Sequence, residues 1–134
     1  MKIASAIVWR ILVNKGSSVA IIVWDCLKKL AHLGRDIVPL VHHILGFGGQ
    51  EVNPTGMICL LMRFGDKTKS KSLEVDFLVA DVSMAYNAIL GRPTLHKVKA
   101  IIAPYLLKLQ FEADDGSIGK IRWDQRTLGV LPGE

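Results

Sequence analysis

A short loop between two apolar segments most constrains what this chain can fold into. Residues 3–13 and 19–24 are rich in isoleucine, valine and leucine, a bias that favours strands. Between them lies Asn14-Lys15-Gly16-Ser17-Ser18, in which asparagine, glycine and serine are typical turn residues. The pattern predicts two strands, 3–13 and 19–24, joined by a tight loop.

The remainder of the chain predicts further strands and two short helices. One helix is expected from Trp24 to His32, with Gly34 placed to end it, and the other from Pro93 to Lys99, where proline suits the first turn. Asp114-Asp115-Gly116-Ser117 has the composition of a turn between strands. The other strand candidates are 38–45, 57–64, 73–79, 107–111 and 118–123. The prediction is a mainly β fold.

Composition limits the protein class. A chain of 134 residues is one domain by the usual range of about 100 to 200 residues, and 50% hydrophobic residues supply a core. No apolar run reaches the roughly 20 residues of a transmembrane helix, so no membrane span is expected. Cys26 and Cys59 fit no metal spacing. We interpret both as buried free thiols in a reducing compartment, cytoplasmic or nuclear.

The net charge of +5 raises the question of nucleic-acid binding, because Lys67, Lys69 and Lys71 cluster in one segment. They alternate with Thr68 and Ser70 between two strand patterns, which favours a solvated hairpin tip over a phosphate site. No aromatic platform for bases accompanies them. The sequence therefore argues against nucleic-acid binding, which stays a weaker alternative.

The strongest signature is the ten-residue segment Tyr86–Leu95, YNAILGRPTL. Four other segments accompany it: Ile11–Ser18, Trp24-Asp25, Leu45–Gly49 and Asp124-Gln125. In this order they resemble the retropepsin-like aspartic protease domain of plant gypsy-type LTR retrotransposon polyproteins. The resemblance extends over residues 3–126, nearly the whole chain.

The resemblance implies a closed β-barrel-like subunit with a flap hairpin and one or two short helices. It implies a single domain over residues 1–134, with a core of about 3–112 and a C-terminal hairpin and tail over 113–134. Phe47, Gly48 and Gly49 match the flap that closes over substrate, although a plain glycine-rich hairpin explains them equally well. Ile89, Leu90, Gly91 and Arg92 match the apolar signature behind the active-site loop, where Arg92 is expected to pair with an acid.

The same resemblance places Asn14 where the family has its catalytic aspartate, followed by Gly16 and Ser17 of the loop. Aspartic proteases activate water between two carboxylates about 3 Å apart that share one proton. A retropepsin subunit supplies one of the two, so a homodimer is implied, with a peptide or polyprotein as ancestral substrate. The Asn14 amide cannot act as a general base. Lys15 replaces a small residue or threonine, which weakens the expectation of a dimer.

Other acids are poor substitutes for the missing aspartate. We expect Asp25 to cap a helix, Asp81 to be structural or at the surface, and Asp114 and Asp115 to form a turn. His42-His43 in a strand would face opposite sides, which is poor metal geometry. Neither a metal nor another cofactor is expected.

Three functional hypotheses follow. The leading one is a degenerate aspartic protease domain, ancestrally a polyprotein-processing endopeptidase and now inactive through Asn14. The second is a non-catalytic dimeric module that binds an extended peptide in the cleft by strand addition. The third is nonspecific nucleic-acid binding through the basic surface.

Overall fold

The computed structural model describes residues 1–30, 36–39, 45–47, 50–52, 54–103, 108–122 and 128–131, and for 45–47, 50–52, 54 and 128–131 it describes the backbone alone. The fold is mainly β with two short helices in these ranges. The elements are β1 Lys2–Ile3, β2 Ala6–Ile7, β3 Ile11–Asn14, β4 Ala20–Val23, α1 Trp24–Lys29, β5 Val38–Pro39, β6 Leu45–Phe47, β7 Gln50–Val52, β8 Pro54–Gly65, β9 Ser70–Ala80, β10 Ala88–Leu90, α2 Arg92–Lys97, β11 Ile101–Ala103, β12 Lys108–Glu112, β13 Ile118–Arg122 and β14 Leu128–Leu131.

The largest sheet has nine strands among the described residues and curls into a half-barrel. Its order is β14-β3-β10-β4-β9-β8-β1-β2, with β5 pairing β8. The strand β10 inserts between β3 and β4, parallel to β3 and antiparallel to β4. Two segments far apart in sequence thereby become neighbours. They are the loop at Asn14–Ser18, called the opening loop below, and the Tyr86–Leu95 signature.

The strands at the centre of this sheet are covered on both faces, which explains their uninterrupted apolar sequence. All of Ala20–Val23 and Ala88–Leu90 is buried. Side chains of one face join the main core, whose largest members include Phe64 and Phe77. The opposite face carries a smaller apolar cluster: Leu12, Ile21, Leu78, Ala80 and Ile89.

A long hairpin of β8 and β9 forms one side of the half-barrel. The turn between them, at 66–69, is held by the Asp66 carboxylate, which accepts hydrogen bonds from the Thr68 and Lys69 amides at 2.8 and 3.0 Å. These bonds lower the pKa of Asp66, with the Lys69 amide contributing most. The prediction that the lysine-rich segment is a hairpin tip is confirmed.

A second sheet, β11-β12-β13, packs against the main core through one face. Its Phe111 ring meets Phe64 edge-on, with centroids 5.1 Å apart. The turn predicted at Asp114–Ser117 is confirmed, because the Gly116 amide donates to the Ala113 carbonyl at 2.9 Å and Gly116 has φ +81°.

The prediction of one strand over residues 3–13 is wrong. The segment forms β1, β2 and the start of β3, because the chain reverses at Ala4 and Ser5, with φ of 50° and 71°, and bends again at Arg10, with φ 57°. No glycine or asparagine marks these left-handed positions in the sequence. Asn14 is the last residue of β3 and also opens the tight turn that follows, because its carbonyl accepts from the Ser17 amide.

Other predicted boundaries differ more modestly. The first helix ends at Lys29, and Gly34 lies outside the described residues. The second helix covers Arg92–Lys97, close to the predicted Pro93–Lys99. Of the strand expected at 38–45, the structure has β5 at Val38–Pro39 and the start of β6 at Leu45; His42 and His43 are among the residues not described.

Both cysteines are free, but only Cys26 is buried. The prediction of a buried Cys59 is wrong because this residue lies on the outward face of β8, opposite Asp76 on β9. Burial raises the pKa of the Cys26 thiol. Within the described ranges, no helix has both the length and the apolar character needed to cross a membrane.

Candidate functional site

The opening loop lies at the end of β3, where β10 supports it from one side and β14 from the other. The Ser17 amide donates to the Asn14 carbonyl at 3.1 Å, which closes a tight turn. The Arg92 amide donates to the Ser17 carbonyl at 2.8 Å. The turn is therefore tied to the start of α2, and the two sequence signatures form one structural unit.

The Asn14 side chain is turned into its own loop. Its Oδ1 accepts a hydrogen bond from the Gly16 amide at 2.9 Å. A carboxylate oxygen at this position could accept the same bond, so asparagine preserves the loop geometry. A carboxamide does not ionise near neutral pH, so the Asn14 side chain cannot act as a general acid or base.

Ser17 has a structural part in the loop. Its hydroxyl donates to the Val19 carbonyl at 2.6 Å, and its Oγ lies 3.4 Å from the Val19 amide nitrogen. The side chain is half-buried. The hydroxyl thus holds the loop against the beginning of β4. It donates its proton to a backbone carbonyl and not to a side chain that could act as a general base.

The Tyr86–Leu95 signature forms the floor beneath the loop. Ile89 and Leu90 are fully buried on opposite faces of β10, Leu90 in the main core and Ile89 in the smaller cluster. Gly91 is needed for close approach: a Cβ there would lie 2.5 Å from the carbonyl oxygens of both Ser17 and Val19. Arg92 is exposed at the start of α2 and forms no ion pair with any residue described, so the acidic partner expected for it stays a prediction.

Asn87 belongs to the same unit, although the sequence did not single it out. Its Nδ2 donates to the Trp9 carbonyl at 2.7 Å and its backbone amide to the Arg10 carbonyl at 2.8 Å. Its own carbonyl accepts from the Val23 amide at 3.1 Å. Asn87 therefore joins the segment just before β3 to the end of β4. The sequence feature that could have pointed to Asn87 is its position within the Tyr86–Leu95 signature.

The flap segment is a hairpin, as predicted. The strands β6 and β7 pair in antiparallel fashion, with Phe47 opposite Gln50. Gly48 and Gly49, which connect them, lie outside the described residues, and only the backbone of Phe47 is described. The substrate contacts expected of these three residues remain a prediction.

No hydrogen bond or ion pair joins a described carboxylate to residues 14–18, although Asp76 lines a surface cavity together with Ser18. Asp25 does not cap α1, which has no side-chain cap bond. It lies in the first turn and pairs with Lys28 at 3.0 Å, which corrects the capping prediction. Asp81 is exposed. No three His, Cys, Asp or Glu side chains in the described part of the chain come together as a metal site requires.

Lys15 is exposed at the tip of the loop. Its ammonium group makes no hydrogen bond or ion pair with a described residue. The loop therefore presents one positive charge beside an uncharged Asn14.

Among solved structures, the retroviral protease-like domain of Ddi1 from Leishmania major is similar to this chain. The two share a TM-score of 0.57 and 16% sequence identity, and the alignment covers 90% of this chain and 89% of that one. No family model and no curated protein sequence matches the chain. At this level of identity the likeness concerns the fold alone. The chain has a retropepsin-like fold.

Proposed function

We propose that this chain is a degenerate retropepsin-like domain, ancestrally a polyprotein-processing endopeptidase, that has lost peptidase activity through Asn14. One observation carries the proposal: the loop keeps its hydrogen bonds, including Gly16 N to Asn14 Oδ1 at 2.9 Å, while the acid is absent. Two such loops in a homodimer would present two amides to a water molecule. Loss of general acid–base catalysis alone lowers a rate by about 10² to 10⁴.

The homodimer is part of the proposal, because a retropepsin-like subunit carries only half of a two-carboxylate site. Lys15 opposes dimerisation. Two ammonium groups near a twofold axis repel each other by about 1 kcal/mol at 4 Å in water, and by more where solvent is excluded. The dimer is therefore expected to be weak.

The origin proposed is a plant gypsy-type LTR retrotransposon polyprotein. The segments Ile11–Ser18 and Tyr86–Leu95 support it, since they form one unit in the fold and both resemble that family. A reducing compartment, cytoplasmic or nuclear, is proposed on the free thiols of Cys26 and Cys59. Mass spectrometry of the protein from its natural host, with the thiols alkylated before digestion, tests the second statement.

Restoring the acid tests the loss of activity. We expect Asn14→Asp to gain pepstatin-sensitive cleavage of a peptide panel at mildly acid pH, where one of two paired carboxylates is protonated. Wild type should show none. Pepstatin-sensitive turnover by the wild-type protein would overturn the proposal.

A matched pair of variants separates chemistry from dimerisation. Lys15→Thr alone should remain inactive, since it restores no acid. Asn14→Asp combined with Lys15→Thr should exceed Asn14→Asp alone at low protein concentration, and the two should converge at high concentration. Activity of Lys15→Thr alone would show that Asn14 is not what blocks catalysis.

The flap hairpin and the smaller apolar cluster favour a second candidate, a module that binds an extended peptide without cutting it. In this case a pepstatin-like peptide should bind the wild-type dimer and protect it against unfolding. If the peptide leaves the melting temperature unchanged at saturating concentration, this candidate fails.

Nucleic-acid binding at the β8–β9 tip receives less support from the structure. Lys69 lies 3.3 Å from Asp115, and Lys71 lies 3.8 Å from Asp114, so two of the three lysines already face carboxylates. Retention on heparin at low salt that Lys67→Ala, Lys69→Ala and Lys71→Ala together abolish would restore this candidate.

A further inference from the structure

The outer face of the β11-β12-β13 sheet presents a regular array of side chains. In one row Ala103, Lys108 and Arg122 lie opposite one another, and in the next row Ile101, Gln110 and Lys120 do. A third row pairs Glu112 with Ile118. The inner face carries the buried Leu109 and Phe111 instead, so the outer face is a separate surface.

Among the described residues, no ion pair neutralises the positive charge on this face. Lys108 and Arg122 are directly opposite, and Lys120 lies two residues from Arg122 on the same face. None of the three forms an ion pair with a described residue, whereas Lys69, Lys71 and Lys99 each do. Glu112, the one acid in the array, forms an ion pair with Lys99 at 3.1 Å.

This arrangement is unfavourable for the free protein. Like charges directly opposite on paired strands destabilise a sheet. Two exposed isoleucines border the cations, since Ile101 and Ile118 are each 64% exposed. Cations that have no described ion-pair partner and lie between exposed apolar side chains are complementary to a ligand that carries both carboxylates and apolar groups.

We propose that the outer face of β11–β13 docks an extended acidic polypeptide in which acidic and apolar residues alternate. An extended chain repeats every second residue on one side, which matches the spacing of Ile118, Lys120 and Arg122 along β13. Phosphates would use the cations but leave both isoleucines exposed, and no aromatic side chain stands in the three rows to stack a base. The array therefore favours a polypeptide over nucleic acid.

The probe is a fluorescein-labelled peptide of alternating glutamate and valine, about twelve residues long. The same peptide with glutamine in place of glutamate serves as the comparison ligand. Binding to the full chain is followed by fluorescence anisotropy at physiological ionic strength. We expect the glutamate peptide to bind and the glutamine peptide to bind at least about tenfold more weakly.

Variants locate the site. Lys120→Glu combined with Arg122→Glu should weaken binding of the glutamate peptide about tenfold or more, while Lys67→Glu with Arg63→Glu, the same change in charge on β8 and its turn, should alter it less than about twofold. Ile101→Ser with Ile118→Ser should weaken the peptide about fivefold and leave an oligothymidylate probe unaffected. Circular dichroism confirms that each variant is folded.

Lys108→Glu should have two opposite effects, which a general effect of surface charge would not produce. It replaces a repulsive pair with an attractive one, so it should raise the melting temperature by about 1 to 4 °C while weakening the peptide. Three results would overturn the proposal: equal binding of the two peptides, equal loss in the Arg63/Lys67 variant, or tighter binding of oligothymidylate with no effect of the isoleucine substitutions.

Discussion

At the scale of single residues, the hydrogen bonds that hold the loop do not depend on an acid at residue 14. Asn14 keeps the hydrogen bond to Gly16, and Ser17 keeps the loop against Val19. Neither interaction requires an acid. The neighbouring Lys15 adds charge without a described partner. The loop geometry is therefore compatible with asparagine at residue 14, as the proposed loss of the catalytic acid requires.

Gly91 is expected to be intolerant of a side chain. Gly91→Ala would place a Cβ 2.5 Å from two backbone carbonyl oxygens that cannot move independently, and we expect a loss of about 3 kcal/mol in the free energy of unfolding. Gly116→Ala is the control, because open space surrounds that glycine and only its φ of +81° is unfavourable, at about 1 kcal/mol. Urea denaturation compares them; equal losses would contradict the close approach.

Asp115 is expected to titrate at unusually low pH. The Ser117 hydroxyl, the Ser117 amide and Lys69 lower its pKa from 3.8 to about 2. A depressed pKa contributes stability above the ordinary value, and this contribution is lost as pH falls from 3.8 towards 2. Ser117→Ala removes the largest cause, so the pKa should rise. A ¹³C NMR titration measures it, with the pKa of Asp66 expected to stay unchanged.

At the scale of elements, the C-terminal end of α2 has a structure that no glycine in the sequence predicts. The Ala100 amide donates to the Leu95 carbonyl at 2.9 Å and the Lys99 amide to the His96 carbonyl at 3.1 Å, which is a Schellman motif. The left-handed position is Lys99, with φ 53°. Glycine is the usual residue there, so this helix end carries strain.

Relief of that strain is measurable. Lys99→Gly should raise the free energy of unfolding by about 1 kcal/mol, because glycine adopts the left-handed conformation without steric cost. The exposed ion pair of Lys99 with Glu112 is lost, but such pairs contribute little. Lys99→Ala loses the same pair and keeps a Cβ, so it should be neutral or slightly destabilising. Stabilisation by alanine equal to that by glycine would assign the effect to charge.

At the scale of the whole molecule, distant segments meet around β3. The strand β10 follows it by more than seventy residues, and β14 lies near the end of the chain, yet both pair with it in parallel. The described part of the proposed site is therefore built from three regions of sequence. In the proposed homodimer, a second copy would complete the cleft.

The proposed dimer is tested by sedimentation. Lys15→Thr should associate severalfold more tightly than wild type at low salt, because one repulsion across the axis is removed. The difference should shrink as salt rises. Lys67→Thr, a change of the same charge on the β8–β9 turn, should sediment as wild type does. Identical monomeric behaviour of all three proteins at high concentration would remove the basis for a dimeric cleft.

Prediction from sequence succeeded where local pattern decides conformation. The Asp114–Ser117 turn, the β6–β7 hairpin and helix α2 follow from turn residues, glycine density and a proline in the first turn. It failed at Ala4, Ser5 and Arg10, whose left-handed backbone has no local marker. It failed also at Cys59, since which face of β8 is outward depends on what packs against the strand.

The sequence by itself determined the β-rich character, the resemblance carried by Ile11–Ser18 and Tyr86–Leu95, and the absence of an acid at residue 14, because these depend on residue type and order. Only the tertiary structure decided that β10 inserts between β3 and β4, that Gly91 lies against Ser17, and that Lys108, Lys120 and Arg122 share one face. The physical reason is that strand register and burial arise from contacts between residues far apart in sequence, which no local periodicity encodes.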